Sequence, residues 1–229
     1  MREKEVYMNI TKAISCALGV AVVLCCSTAS ANLMNGGFET GDLTGWYSQG
    51  AVQAVQWEYA RDFLGLSQPP ASGFWDPAGG NYFASLWSQE EDFFPHTDSY
   101  MRQTFTTPEP GWQLNFDYFY DFGDVQGYWA TASIIVMDGV GTPIWWRSIN
   151  DPGAGTGLAD DENIDWTHIT VPLASAGTYT LEFSIYDHPF GGFESILGVD
   201  DVQVVPVPAA VVLGILGMGM AGLKLRKHA

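Results

Sequence analysis

Cysteine is nearly missing from this chain, and where it occurs it cannot serve a folded domain. The three cysteines of the 229 residues are Cys16, Cys25 and Cys26, all near the N-terminus. Everything downstream is therefore without disulfides, thiol nucleophiles or thiolate metal ligands. Positive charge is the second scarcity. Nine Lys and Arg stand against 26 Asp and Glu. Between residues 32 and 205 only Arg61, Arg102 and Arg147 face 24 acids (all but Glu3 and Glu5), a net charge of 3 − 24 = −21. Such a polyanion repels nucleic acid and anionic lipid, so no nucleic-acid partner is expected, whereas divalent cations and salty water suit it. Amphipathic helices of useful length, internal repeats and low-complexity runs are also lacking. So are the G-x-S-x-G, H-E-x-x-H and phosphate-cradling glycine patterns. His96, His168 and His188 lie in no recognised Ser or Cys context. Among enzymes, only a paired-carboxylate glycosidase stays open, because acids are everywhere and a sequence gives no separations.

The two ends are of a different composition. Arg2, Lys4 and Lys12 precede an apolar stretch from Ala13 to Cys26, and Ala29-Ser30-Ala31 forms an A-x-A site. That is the pattern of a signal peptide over residues 1–31, cut by signal peptidase to leave Asn32 as the first residue. A lipoprotein signal at Cys25 or Cys26 is disfavoured, since Leu24, before Cys25, stands where a small residue belongs. At the other end, residues 206–229 hold Pro206, Val207 and Pro208, an apolar run of 15 residues from Ala209 to Leu223, and then Lys224, Arg226 and Lys227. The run is short for a bilayer span but comes close when counted from Val204. The three cations predict a cytoplasmic stop, and Gly214, Gly217, Gly219 and Gly222 allow close approach of a partner helix.

These tail residues resemble the PEP-CTERM sorting domains of Gram-negative bacteria that make exopolysaccharide. The resemblance implies transient anchoring in the inner membrane by a transmembrane helix, then recognition near Pro-x-Pro by an exosortase, a membrane cysteine protease. Release to the cell surface or extracellular matrix would follow. Val207 stands where that family usually has Glu, which is closer to its VPxPA variants and leaves the exosortase class open.

The remaining residues, 32–205, have the length of one domain. Leu114, Phe116, Tyr118 and Tyr120 alternate with Asn115, Asp117 and Phe119, and Tyr179, Leu181, Phe183 and Ile185 alternate with Thr180, Glu182 and Ser184. Period two over such lengths predicts half-buried strands. Further strands are expected at 51–57, 82–87, 99–106, 130–137, 143–147, 169–173 and 197–205, with long loops at 64–80 and 148–165. The fold class is all-β, a two-sheet jelly-roll sandwich.

The opening Asn35-Gly36-Gly37-Phe38-Glu39 with Gly45-Trp46, and the closing Gly198-Val199-Asp200-Asp201-Val202, resemble the framing strands of galactose-binding-like jelly rolls, a superfamily that includes carbohydrate-binding modules. The resemblance brings the two ends together and implies a structural calcium where the opening Glu and closing Asp meet, hence Glu39 and Asp200, with Asp201 beside them. Calcium takes six to eight hard oxygens, which carboxylates and loop carbonyls supply. The acidic loop from Asp160 to Glu162 and the run Glu90-Glu91-Asp92 lack calcium-loop spacing and are read as solvated.

Aromatic side chains are plentiful. Flat rings stack on pyranose faces while neighbouring amides and acids bond hydroxyls. Trp57, Tyr59, Trp75, Trp87, Trp129, Trp145 and Trp146 are candidates, and Trp75, Trp145 and Trp146 are the ones chosen for glycan stacking. Trp75 sits in a Gly/Pro-rich stretch, where a ring is hard to bury. Trp145 and Trp146, as strand neighbours, must point to opposite faces, one of them into the core. The expectation is an exported, non-catalytic surface or matrix protein, structural or adhesive in exopolysaccharide. The alternative is a calcium-stabilised carbohydrate-binding module; a polysaccharide hydrolase stands third.

Overall fold

The computed structural model describes residues 31–60, 73–88, 98–123, 130–149, 163–187 and 194–207. Residues 1–30, read as most of a signal peptide, and residues 208–229, with the apolar run and its basic end, lie outside the described residues. No helix among the described residues is long and apolar enough to cross a membrane.

The described chain is all-β, as the period-two pattern predicts. The strands are β1 (Tyr47–Gln49), β2 (Val52–Val55), β3 (Glu58–Tyr59), β4 (Phe74–Trp75), β5 (Phe83–Trp87), β6 (Ser99–Thr107), β7 (Trp112–Asp121), β8 (Ala130–Asp138), β9 (Pro143–Ile149), β10 (Ile164–Leu173), β11 (Gly177–Asp187) and β12 (Ile196–Pro206). They form one sheet in the order β1-β6-β11-β8-β9, here sheet A, and a second in the order β10-β7-β12-β5-β2, sheet B. β3 and β4 make a separate two-stranded ribbon. Every pairing is antiparallel.

Alternation builds the core. Leu114, Phe116, Tyr118 and Tyr120 of β7 are buried, as are Leu181, Phe183 and Ile185 of β11. The sheets meet through these rows: the Phe116 ring stands edge-on to Phe183 at 5.4 Å. Trp46 joins them 6.1 Å from Phe183, with Phe38 5.6 Å further along. The opening segment is thus part of the core, and Trp46 is buried.

Sheet B has an unusual outer face. β12 carries a register shift between Asp200 and Gln203, where Asp201 takes a left-handed φ of 50°. Over the other half of β12, Gly198 lies directly beneath the Phe119 ring, where any Cβ would collide with ring carbons. Phe119 in turn stacks face to face on Trp75 at 4.1 Å and 5°. Phe119, Trp75, Phe83 and Ile196 form a second small core, flanked by Val55, Ala60, Trp87 and Trp166. The β3–β4 ribbon is therefore a cover laid over sheet B, not a free loop.

Candidate functional site: the outer face of sheet A

Among the described residues, no ribbon is laid over the outer face of sheet A. Its register puts outward-facing residues of all five strands in line. Tyr47 is opposite Arg102, Arg102 opposite Glu182, Glu182 opposite Ile135, and Ile135 opposite Trp146. At about 4.8 Å per strand, this row spans roughly 19 Å, the reach of a short oligosaccharide. A parallel row runs Gln49, Tyr100, Ser184 and Ser133, and ends in a buried Ser148. Strand alternation fixes which members of each strand appear here, since their neighbours fill the core.

Both ends of the first row are aromatic and exposed: Trp146 is 58% and Tyr47 54% accessible. Tyr47 and Tyr100 have ring centroids 5.9 Å apart. The Arg102 guanidinium lies 5.1 Å from the Tyr47 centroid and 6.0 Å from that of Tyr100, so the cation holds both rings. Arg102 also approaches Glu182 at 3.9 Å. Hydroxyls and an amide occupy the space between, and Thr104 and Thr180 share a hydrogen bond of 2.9 Å nearby. Within a domain of net −21, these two rows carry one cation and one anion. Rings for C–H faces and neutral hydrogen-bonding groups for hydroxyls are what a neutral sugar chain needs.

The three tryptophans chosen from sequence fall in three different environments. Trp146 faces outward on sheet A. Trp145, its strand neighbour, is half-buried and points between the sheets, 6.0 Å edge-on to Phe116. Trp75 corrects the expectation that a Gly/Pro-rich stretch leaves its ring exposed: it is 3% accessible. One face is covered by Phe119, and its Nε1 donates to Asp121 Oδ2 at 2.7 Å. Neither Trp75 nor Trp145 is available as an outward platform. Tyr47, Tyr100 and Arg102 were not picked out beforehand. The three-residue strand β1 shows no periodicity, and only the pairing of non-consecutive strands lines it up with Trp146.

The expected calcium residues also come close to one place, around the turn at residues 79–82. Both Glu39 oxygens are engaged there. Oε1 accepts from the amides of Asn81 at 2.7 Å and Tyr82 at 3.1 Å, and Oε2 accepts from Asn81 Nδ2 at 3.0 Å. These bonds, the Asn81 amide first, hold the Glu39 carboxyl below the usual range. Asp200 is fully buried and accepts from the amides of Gly79 at 3.0 Å and Asp201 at 2.7 Å. Burial outweighs those bonds and pushes its pKa up to about 7. The Asp201 carboxylate lies against Gly79, where a Cβ would come within 2.6 Å of Oδ2. At Gly80, with φ of +64°, a Cβ would strike the Glu39 carboxylate. Two successive glycines are thus required for the chain to pass between the acids. Val202 donates to the Gly36 carbonyl at 2.9 Å, which ties the opening segment to the closing strand. Among the described residues, no three His, Cys, Asp or Glu side chains gather as a metal set.

Of the tail element, Pro206 ends β12 opposite Trp112, and the Val207 amide bonds to the Gly111 carbonyl at 2.8 Å. Ala31 begins the described residues; Ala29, Pro208, Lys224, Arg226 and Lys227 lie outside them.

No protein-family model matches the chain, and no curated protein sequence does. Solved structures do resemble it in fold. One is a carbohydrate-binding module in complex with β-1,4-galactotriose: 16% identity, 76% of this chain and 97% of that chain covered, TM-score 0.47. A carbohydrate-binding module described for specific mannan recognition has 11% identity, coverage of 78% and 96%, and a TM-score of 0.38. The enzymatically active domain of tailspike protein 4 from bacteriophage CBA120 is also similar: 12% identity, 78% of this chain but 21% of that one, TM-score 0.40. The chain is similar to these proteins in fold alone; its own face must supply the functional case.

Proposed function

We propose that this chain is an exported, non-catalytic glycan-binding domain of the cell surface or extracellular polysaccharide, and that the outer face of sheet A contacts the glycan. The observation that carries this is the five-strand row from Tyr47 through Arg102, Glu182 and Ile135 to Trp146, with an exposed ring at each end and balanced charge between. No bond need be made or broken there. The two rows hold one acid, Glu182, which lies beside Arg102, where a glycosidase uses a pair of carboxyls. An adhesive or structural role in matrix polysaccharide then follows from binding alone.

Calcium enters this proposal as a structural ion held by Glu39, Asp200 and Asp201. What supports it is the donor chemistry, three carboxylates around a glycine turn, and a buried Asp200 whose ionisation a divalent cation would favour. The ion's contribution would be to offset the cost of burying that charge. Export by the signal peptide and processing by an exosortase in a Gram-negative envelope are supported by the sequence at residues 1–31 and 206–229. Because Val207 is hydrogen-bonded to the sheet, the processed protein should end beyond Val207. Intact-mass analysis of exported protein checks this; a C-terminus within β12, or a chain with both ends uncut, contradicts it. Pro206→Ala with Pro208→Ala should hold the protein in the inner membrane. Glycan-array binding in millimolar calcium tests the main proposal, and a protein that binds no neutral glycan contradicts it.

A further inference from the structure

The opposite side of the molecule carries a second exposed aromatic cluster. β3 and β4 alternate as any strand does, and with only two residues each the alternation is complete: Glu58 and Trp75 point down, Tyr59 and Phe74 point out. Trp57 joins the outward pair. Accessibilities are 48% for Trp57, 56% for Tyr59 and 37% for Phe74. The ring centroids lie 4.9 Å (Trp57–Tyr59), 5.5 Å (Trp57–Phe74) and 5.0 Å (Tyr59–Phe74) apart. Trp57 stands at 87° and 88° to the other two, so the trio forms a corner with one aromatic wall.

The corner is held from below. Glu58 is buried and accepts from Ser85 Oγ at 3.3 Å, Trp87 Nε1 at 3.2 Å and the Tyr59 amide at 3.0 Å. Trp75 is stacked on Phe119. Three large rings are thus kept in place on a rigid base yet left in water, at a cost the fold does not need for its own core. Charge selects the occupant. A second copy of a domain at −21 would bring like charge to the contact, and an anionic polymer would be repelled equally. A neutral sugar ring has neither penalty and offers the C–H faces that such rings stack on.

We propose that Trp57, Tyr59 and Phe74 form a second site for neutral polysaccharide, on the face opposite the sheet A row, and that the domain bridges two polysaccharide strands. The bridging rests on the sheet A proposal; the second site does not. Rows on opposite faces of one sandwich cannot lie along the same strand of polymer, so two sites make a cross-link and avidity in a matrix.

The experiment compares the full chain with Trp57→Ala plus Tyr59→Ala, with Trp146→Ala, and with all three combined. The probes are xylan, β-mannan and β-1,4-galactan. Binding is read by affinity electrophoresis, and cross-linking by the rise in viscosity of the polysaccharide that binds. The expected result is weaker binding in either partial variant, the weakest binding in the combined one, and a smaller viscosity rise in each. Melting temperatures should stay within a few degrees, since these side chains are exposed. If Trp57→Ala plus Tyr59→Ala leaves binding and viscosity unchanged, the second site is overturned while sheet A stands. If that variant alone abolishes binding, the trio is the sole site and bridging is overturned. If it instead abolishes a sugar-independent dimer seen by sedimentation, the trio is a self-association surface and the proposal falls.

Discussion

The outer faces of the two sheets follow one alternation rule and end in opposite conditions. On sheet B, large outward residues (Phe83, Phe119) are roofed by Trp75 and Trp166 and have become a core. On sheet A, the outward residues are mostly Thr, Ser and Gln with Ile135 and one ion pair; Tyr47 and Trp146 are exposed on the edge strands and Tyr186 on the central one, and no ribbon among the described residues is laid over them. The clustered outward rings of sheet B gather a cover; the rings of sheet A, spaced by hydroxyls, stay in water. The difference separates aromatics that hold the protein together from aromatics free to meet a ligand.

The strongest way to break this comparison is to remove the roof. Phe119→Ala should cost about 3–5 kcal/mol of stability, because it empties the space between Trp75 and Gly198. Chemical denaturation measures it. A loss below about 1 kcal/mol would mean the roof is decorative. A comparable truncation on sheet A, such as Trp146→Ala, should stay within about 0.5 kcal/mol.

Next in size is the buried acid beneath the framing strands. The Asp200 pKa is raised to about 7 from its ordinary 3.8. The sign follows: the unfolded chain releases this proton first, so stability is lost as pH rises from about 4 to 7. Between pH 5 and pH 8, chelated protein should lose about 2–3 kcal/mol from this group. Asp200→Asn should flatten that slope. With millimolar calcium the wild-type slope should shrink and the melting temperature should rise. Identical profiles with and without calcium would remove the ion from the account.

Much of the architecture was legible beforehand, for a physical reason. β7 and β11 are long enough for alternation to show, and the pairing of Asn35–Glu39 with Asp200–Val202 is carried by motif residues with backbone duties. The short strands were not legible. β1, β3 and β4 have two or three residues each, too few for any period. Trp75 was misjudged because its burial depends on Phe119, 44 positions away in the chain. The turn that passes between Glu39 on one side and Asp200 and Asp201 on the other was also missed. Gly79-Gly80-Asn81 is the signal that was present: two adjacent glycines beside a side-chain amide mark a close backbone approach.

Smaller effects sharpen the sheet A side. Arg102→Gln removes an exposed ion pair, so stability should change by less than about 1 kcal/mol. It also frees the Tyr47 and Tyr100 rings, so glycan affinity should fall while the melt stays nearly constant. Equal loss of both would assign Arg102 to the fold instead.

The most direct test of the central claim is equilibrium binding of neutral polysaccharides to the full chain and to Trp146→Ala and Tyr47→Ala. Loss of one stacking ring, worth about 0.5–1.5 kcal/mol, should weaken binding roughly 2- to 10-fold per substitution with an unchanged melting temperature. Wild-type affinity in both variants would contradict the account.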